Sequence, residues 1–186
     1  MKKLFVIFVI SLFLFFGCLQ TNQSNATVET KTFVTNCVQG EYNANWTFNE
    51  TSSQNYTFTK SNSHLTLICQ NSPLEKLERT TKDWDAYTDI YLDELKTNLV
   101  ESGFVNVQVE LLNKSKINNG SEEGLKLKIL LTIDGKSGIQ YAYFNTKVDS
   151  INNEQLGFNI TYLYNTASAF EESEVDNFVN SLNFVS

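Results

Sequence analysis

The feature that most limits the fold lies between residues 105 and 164. Val105, Val107, Val109 and Leu111 alternate with their neighbours. Leu125–Ile133 is an apolar run, Ile139–Val148 holds Tyr141, Tyr143 and Phe144, and Leu156–Tyr164 holds Phe158, Ile160, Tyr162 and Tyr164. Period-two patterning of this kind predicts four strands. Their links, Asn113–Gly124, Asp134–Gly138 and Asp149–Gln155, are rich in turn residues. Parallel neighbours need a crossover of a dozen or more residues. The last two links are too short for one, and the first is polar and carries Gly120 and Gly124. Four antiparallel neighbours are therefore expected.

Upstream, Trp46 and Phe48 alternate with polar residues. Tyr56 and Phe58, then Leu65, Leu67 and Cys69, continue the pattern around Ser61-Asn62-Ser63, predicting a hairpin of Asn55–Lys60 with His64–Gln70. Ser72-Pro73-Leu74-Glu75 has the form of a capping box with proline at the first helical position. The main helix is expected from about Asp83 to Ser102. Trp84, Tyr87, Tyr91, Leu95 and Leu99 form its apolar stripe, and Gly103 stands at its stop. A last helix from about Phe170 to Leu182 presents Val175, Phe178, Val179 and Leu182 on one side. The order ββ-α-ββββ-α predicts an α+β fold, an antiparallel sheet with helices packed on it.

From about Asn55 onward the chain resembles the PsbP-like sandwich family, which includes the DcrB-type lipoproteins. The resemblance rests on that element order, on the aromatic helix Trp84–Ser102 after the first hairpin, and on the closing stretch Phe178-Val179-Asn180-Ser181-Leu182-Asn183-Phe184. It implies a fold and an extracytoplasmic accessory setting, not a reaction.

The first eighteen residues concern the compartment. Lys2 and Lys3 precede the apolar run Leu4–Phe16, which as a helix is about 20 Å long, short of the ~30 Å hydrocarbon core. This is the form of a signal peptide. Phe15-Phe16-Gly17-Cys18 resembles the lipobox of prokaryotic lipoproteins, although Phe16 is bulkier than that pattern prefers. Lipidation at Cys18 would anchor the chain to the membrane. The alternatives are an uncleaved N-terminal anchor and simple secretion. All three place the remaining chain outside the cytoplasm. Residues 19–41, rich in Thr, Asn, Ser and Gln, are read as a linker, part of which can lie against the domain through Phe33-Val34 and Cys37-Val38, and residues 42–186 as a single domain large enough to bury about two thirds of its surface.

Three cysteines are an odd number for an exported chain. With Cys18 lipidated, Cys37 and Cys69 are left as an even pair, and a disulfide between them is expected; the alternative is two free thiols. Sequons begin at Asn22, Asn25, Asn45, Asn49, Asn55, Asn113, Asn119 and Asn159. They fit either a glycosylated stalk or a merely Asn-rich composition.

The chemistry-bearing residue types form no recognisable active site. His64 is the only histidine, which argues against a structural zinc site. Cys69 lies five residues away, on the opposite face of a strand, so the two make a poor catalytic pair. Asp85, Asp89 and Asp93 recur every four residues, a pattern that fits a solvated helix face better than a cation site. Asp149–Glu154 fails the calcium-loop pattern, and Gly135-Lys136-Ser137 fails the phosphate-loop pattern and reads as a hairpin turn. The net charge of −7 argues against a nucleic-acid partner. The many aromatics are expected mostly in the core, with some tyrosines available to a binding surface on an incompletely covered sheet.

The sequence thus points to a non-enzymatic, membrane-anchored accessory or binding module of the cell surface. No catalytic, cofactor or metal residues are assigned. The partner would be an envelope protein or a small ligand. The alternatives are a structural envelope lipoprotein without a discrete ligand and, last, an enzyme. A concave aromatic pocket with converging polar groups would favour the binding module.

Overall fold

The computed structural model describes residues 29–71, 84–119, 122–148, 155–164 and 168–185. The expectations for Cys18, for Asn22 and Asn25, for the capped turn at Ser72 and for the loop Asp149–Glu154 lie outside these residues.

The elements run β1 (Thr30–Val34), β2 (Val38–Asn43), β3 (Thr47–Ser52), β4 (Asn55–Lys60), β5 (Ser63–Asn71), α1 (Trp84–Glu101), β6 (Gln108–Asn119), β7 (Glu122–Ile133), β8 (Lys136–Val148), β9 (Gln155–Tyr164), α2 (Glu172–Asn180) and β10 (Asn183–Phe184). The expected ββ-α-ββββ-α order is present as β4 to α2. Seven strands pair antiparallel in the order β3-β4-β5-β9-β8-β7-β6, and β1-β2-β10 form a second, three-stranded sheet. The structure is an α+β sandwich with the large sheet in its middle.

Alternation along the strands gives that sheet two different faces. Leu125, Leu127, Ile129 and Leu131 of β7 join Ala142 and Phe144 of β8 beneath Trp84 and Tyr87 of α1, with Tyr91, Leu95 and Leu99 packed against the same cluster. The predicted helical stripe is therefore the contact that holds α1 on the sheet. Its end is a Schellman turn: Gly103 has φ 91°, its N–H donates to the Val100 carbonyl at 3.0 Å, and the Phe104 N–H donates to the Leu99 carbonyl at 3.2 Å. On the other face, Phe58, Leu65, Leu67, Phe158, Ile160 and Tyr162 meet Phe33 and Val38 of the small sheet and Val175, Phe178 and Val179 of α2. Edge-to-face rings fill this layer, with Phe58 and Phe178 at 4.7 Å and Trp46 and Phe170 at 4.9 Å.

Three boundaries differ from the sequence reading. β1 and most of β2 lie inside the stretch read as a linker to residue 41. Phe33, Cys37 and Val38 are buried there, so a few apolar side chains in a polar stretch suffice to dock a hairpin on the core. The link expected over Asn113–Gly124 is instead the end of one long hairpin, with Asn113 opposite Lys128 and Asn119 opposite Glu122. Its polarity reflects an edge strand in solvent, and the register shift between Leu111 and Asn113 hides the period. Conversely, Val105 and Val107 precede β6 rather than belonging to it.

Cys37 and Cys69 are joined by a disulfide with Cα atoms 5.6 Å apart, linking the β1–β2 turn to β5. Among the sequons, Asn45, Asn49 and Asn113 are exposed. Asn119 is not: it is 4% exposed, its Nδ2 donates to the Val179 carbonyl, and its Oδ1 accepts from Asn145 Nδ2 at 2.9 Å. A glycan on that nitrogen is incompatible with this packing, which corrects Asn119 as a glycosylation candidate. Asn55 and Asn159 are half-buried.

Candidate functional site

A cleft of about 390 Å³ opens between β2, the start of β3 and α2. Its position follows from the sandwich. The small sheet covers only part of the large one, and α2 covers the rest, so a seam runs between them. Aromatic walls come from Tyr42, Trp46 and Phe178, and the polar rim from Glu41, Asn43, Glu174 and Asn177. Its size is within the usual range for small-ligand sites.

Glu174 is the polar centre of the seam. Its Oε1 accepts from Trp46 Nε1 at 3.0 Å and from Asn43 Nδ2 at 3.4 Å, and its Oε2 accepts from Lys60 Nζ at 2.6 Å. One carboxylate therefore ties together β2, the indole of Trp46, β4 and α2. Charge-assisted bonds of this kind hold a geometry better than neutral ones. The effect is to fix the largely buried Trp46 where it lines the cleft.

On the opposite side of α2 lies a second charged set. Lys126, with a side chain 13% exposed, donates to Glu172 Oε1 at 2.7 Å and to Asp176 Oδ1 at 2.8 Å. Its ammonium sits 5.5 Å from the ring centres of both Tyr141 and Tyr143. The Tyr141 hydroxyl donates to Glu172 at 2.5 Å, and that of Tyr143 donates to Asp176 at 2.8 Å. Burial pushes the Glu172 carboxyl up, but the bonds from Lys126 and Tyr141 and the nearby lysine charges outweigh it and hold it below its ordinary value. Burial pushes the phenols of Tyr141, Tyr143 and Tyr162 up. The set of Lys126, Glu172, Asp176, Tyr141 and Tyr143 docks α2 on the sheet. Tyr91, on α1 at the other face, is raised to about 12 by burial.

The residues singled out in the sequence are dispersed. His64 is exposed, with Thr59 Oγ1 3.3 Å from its Nδ1, while Cys69 is buried in the disulfide, so the two do not meet. Asp85, Asp89 and Asp93 are exposed, and Asp85 pairs with Lys114 of β6. Gly135 follows Asp134 in the β7–β8 turn, and both have positive φ, 76° and 50°, as a tight two-residue hairpin requires. Of the tyrosines expected to be available to a binding surface, Tyr141, Tyr143 and Tyr162 lie beneath α2, where Tyr141 and Tyr162 stack at 5.0 Å, while Tyr164 is exposed. Sequence reasoning missed Tyr42 and Glu174 as site residues. It also passed over Lys126 and Lys128, which alternate with leucines in β7; charges at period two inside an apolar strand signal a face that meets acidic partners. Glu172 and Asp176, spaced four apart on one helix, were the matching half of that signal.

No family model matches the chain, and no curated protein matches it by sequence. Solved structures do match. The solution structure of cyanobacterial PsbP (CyanoP) from Synechocystis sp. PCC 6803 is similar over 90% of this chain and 99% of that one, with a TM-score of 0.59 and 13% identity. The Ran-binding protein Mog1p of Saccharomyces cerevisiae is similar over 84% of this chain and 96% of its own, with a TM-score of 0.51 and 9% identity. A mutant Mog1 gives a TM-score of 0.50 at 10% identity. At such identities the likeness concerns architecture alone: the chain has the PsbP- and Mog1-like α+β fold.

Proposed function

We propose that the chain is an extracytoplasmic, membrane-anchored binding module without catalytic activity. It would seat a small ligand, or a side chain of an envelope protein, in the cleft between β2 and α2. The observation that carries this reading is the cleft itself, with three aromatic walls and a rim of Glu41, Asn43, Glu174 and Asn177 converging on one volume. A buried disulfide supports an oxidising compartment, and the signal-like first eighteen residues supply the route and the anchor. The ionisable groups around α2 support a binding role. General acid–base work favours values near neutrality, whereas here the phenols are pushed up and Glu172 is held down.

The test is a photo-crosslinking residue placed at Asn177, on the exposed rim, in intact cells, with a matched probe at Gln54 as control. A specific adduct at Asn177 that disappears in Trp46→Ala supports the cleft. Identical adducts at both positions overturn it. For the anchor, Cys18→Ser is expected to release the chain from the membrane fraction or leave it unprocessed; unchanged size and retention refute lipidation.

A further inference from the structure

One end of the sandwich carries apolar side chains that the fold leaves in water. Phe104 is 46% exposed, Val105 60%, Leu163 50% and Tyr164 38%. They come from different segments that the topology brings together. Ile139 pairs with Tyr164, and Ile133 with Lys136, so the end of β9 and the β7–β8 turn share one edge of the molecule. Asn106 Nδ2 donates to Asp134 Oδ1 at 3.2 Å, which brings the stretch after α1 to the same turn. Phe104 and Leu163 line a common groove of about 340 Å³ with Leu131 and Ile133. Exposed apolar residues gathered in this way mark an interaction surface more often than chance.

The N-terminal segment reaches the domain at this same end. The Glu29 carbonyl accepts from the Ala44 N–H at 2.8 Å, two residues before Trp46. Trp46 packs on Phe170, and the neighbouring Ala169 N–H donates to Ser63 Oγ at 2.8 Å. Ser63 opens β5, where Leu65 pairs with Tyr162 beside the exposed Leu163. By strand register, the start of β3 next to Ala44, the start of β5 and the end of β9 all lie at one end of the sheet.

Chain length then restricts which end can meet the bilayer. Residues 19–28 separate Cys18 from Glu29. Fully extended, that stretch spans at most about 36–40 Å. The sheet is about as long, since β8 has 13 residues and a strand rises about 3.3 Å per residue. For the far end to touch the membrane, the connection would have to run back along the whole domain with no slack. The end where the chain arrives can reach it freely.

We propose that this end, with Phe104, Val105, Leu163 and Tyr164, rests on the headgroup–acyl boundary of the membrane in which the chain is anchored. The contact is apolar rather than electrostatic: a chain with a net charge of −7 is repelled by anionic headgroups, so zwitterionic lipid suffices. The cleft, which opens along the seam between β2 and α2, is then held at a defined orientation above the bilayer. This proposal rests on the anchored reading given under Proposed function.

The test uses the full chain reconstituted in phosphatidylcholine vesicles with brominated acyl chains, which quench indole fluorescence on contact. Leu163→Trp and Phe104→Trp are expected to lose fluorescence relative to the unsubstituted chain, and Gln54→Trp, on the exposed turn at the other end of β4, is expected to keep it. All these positions are exposed, so folding is not at stake. If the chain floats with the vesicles and the three variants behave alike, the docked end is refuted while the anchor stands. An indole signal at Leu163→Trp that changes with protein density in unbrominated vesicles shows a second copy on the patch and also overturns the proposal. If the chain does not float with vesicles, the anchor fails and the proposal with it.

Discussion

At the scale of single residues, the tightest position is Gly124, early in β7. A Cβ there would lie 2.3 Å from the Phe144 carbonyl oxygen and 2.9 Å from Ile117 Cγ1. The first of these is backbone in the middle of a paired strand and cannot swing aside. Gly124→Ala is therefore expected to cost about 1–3 kcal/mol through overpacking, read as a lower urea midpoint with an unchanged slope. The glycine also makes room for Asn145, whose side chain bonds Asn119 and the Thr146 N–H in the buried polar set that fastens the end of α2. In the sequence Gly120 and Gly124 look alike, as marks of a polar link. Nothing local to the chain says that Gly124 faces another strand's carbonyl, because that neighbour is twenty residues away.

At the scale of elements, α2 is the part on which the site depends. It is nine residues long, too short to be stable by itself. Three buried side chains, Val175, Phe178 and Val179, seat it, and acidic side chains on its two flanks secure it. Glu172 and Asp176 take Lys126, and Glu174 takes Lys60 and Trp46. Because the folded Glu172 carboxyl sits below its ordinary value of 4.5, the unfolded chain binds more protons in that window, and stability rises with pH through it. The contribution is complete above the ordinary carboxylate value and is lost as pH falls through the lower folded one. Glu172→Gln is expected to flatten this acid limb in thermal melts taken from neutral pH downward. An acid limb as steep as that of the parent would show that Glu172 does not carry it. The helix was legible from the spacing of Val175, Phe178, Val179 and Leu182, and its boundaries only roughly so. The sequence reading extended it to Phe170 and Leu182, which are buried just outside the helix, because apolar spacing does not distinguish the last turn from the residues that follow.

At the scale of the whole molecule, the disulfide ties the small sheet, whose β2 borders the cleft, to β5 of the large sheet. It closes a separation of 32 residues, and in the chain-entropy model its removal costs about 3–4 kcal/mol. Chemical denaturation with and without reductant should show a loss of that order, and Cys37→Ser should match the reduced protein. A loss near zero would mean that packing alone holds the small sheet. The sequence by itself determined the strand-rich α+β class, the antiparallel connections, the helix stripe on α1 and a hairpin turn within Asp134–Gly138, and it led to the pairing expected of Cys37 with Cys69. The first four are matters of period, link length and residue chemistry carried by near neighbours in the chain, and the last follows from the cysteine count. Only the tertiary structure decided that β1 and β2 belong to the domain, that Asn119 is buried, that α2 and β2 border a cleft around Glu174, and that Phe104 and Leu163 share one exposed end. Each of those depends on contacts between residues dozens of positions apart. Such contacts form because burying apolar surface rewards whichever distant segments fit together, and one segment's pattern does not specify which others will.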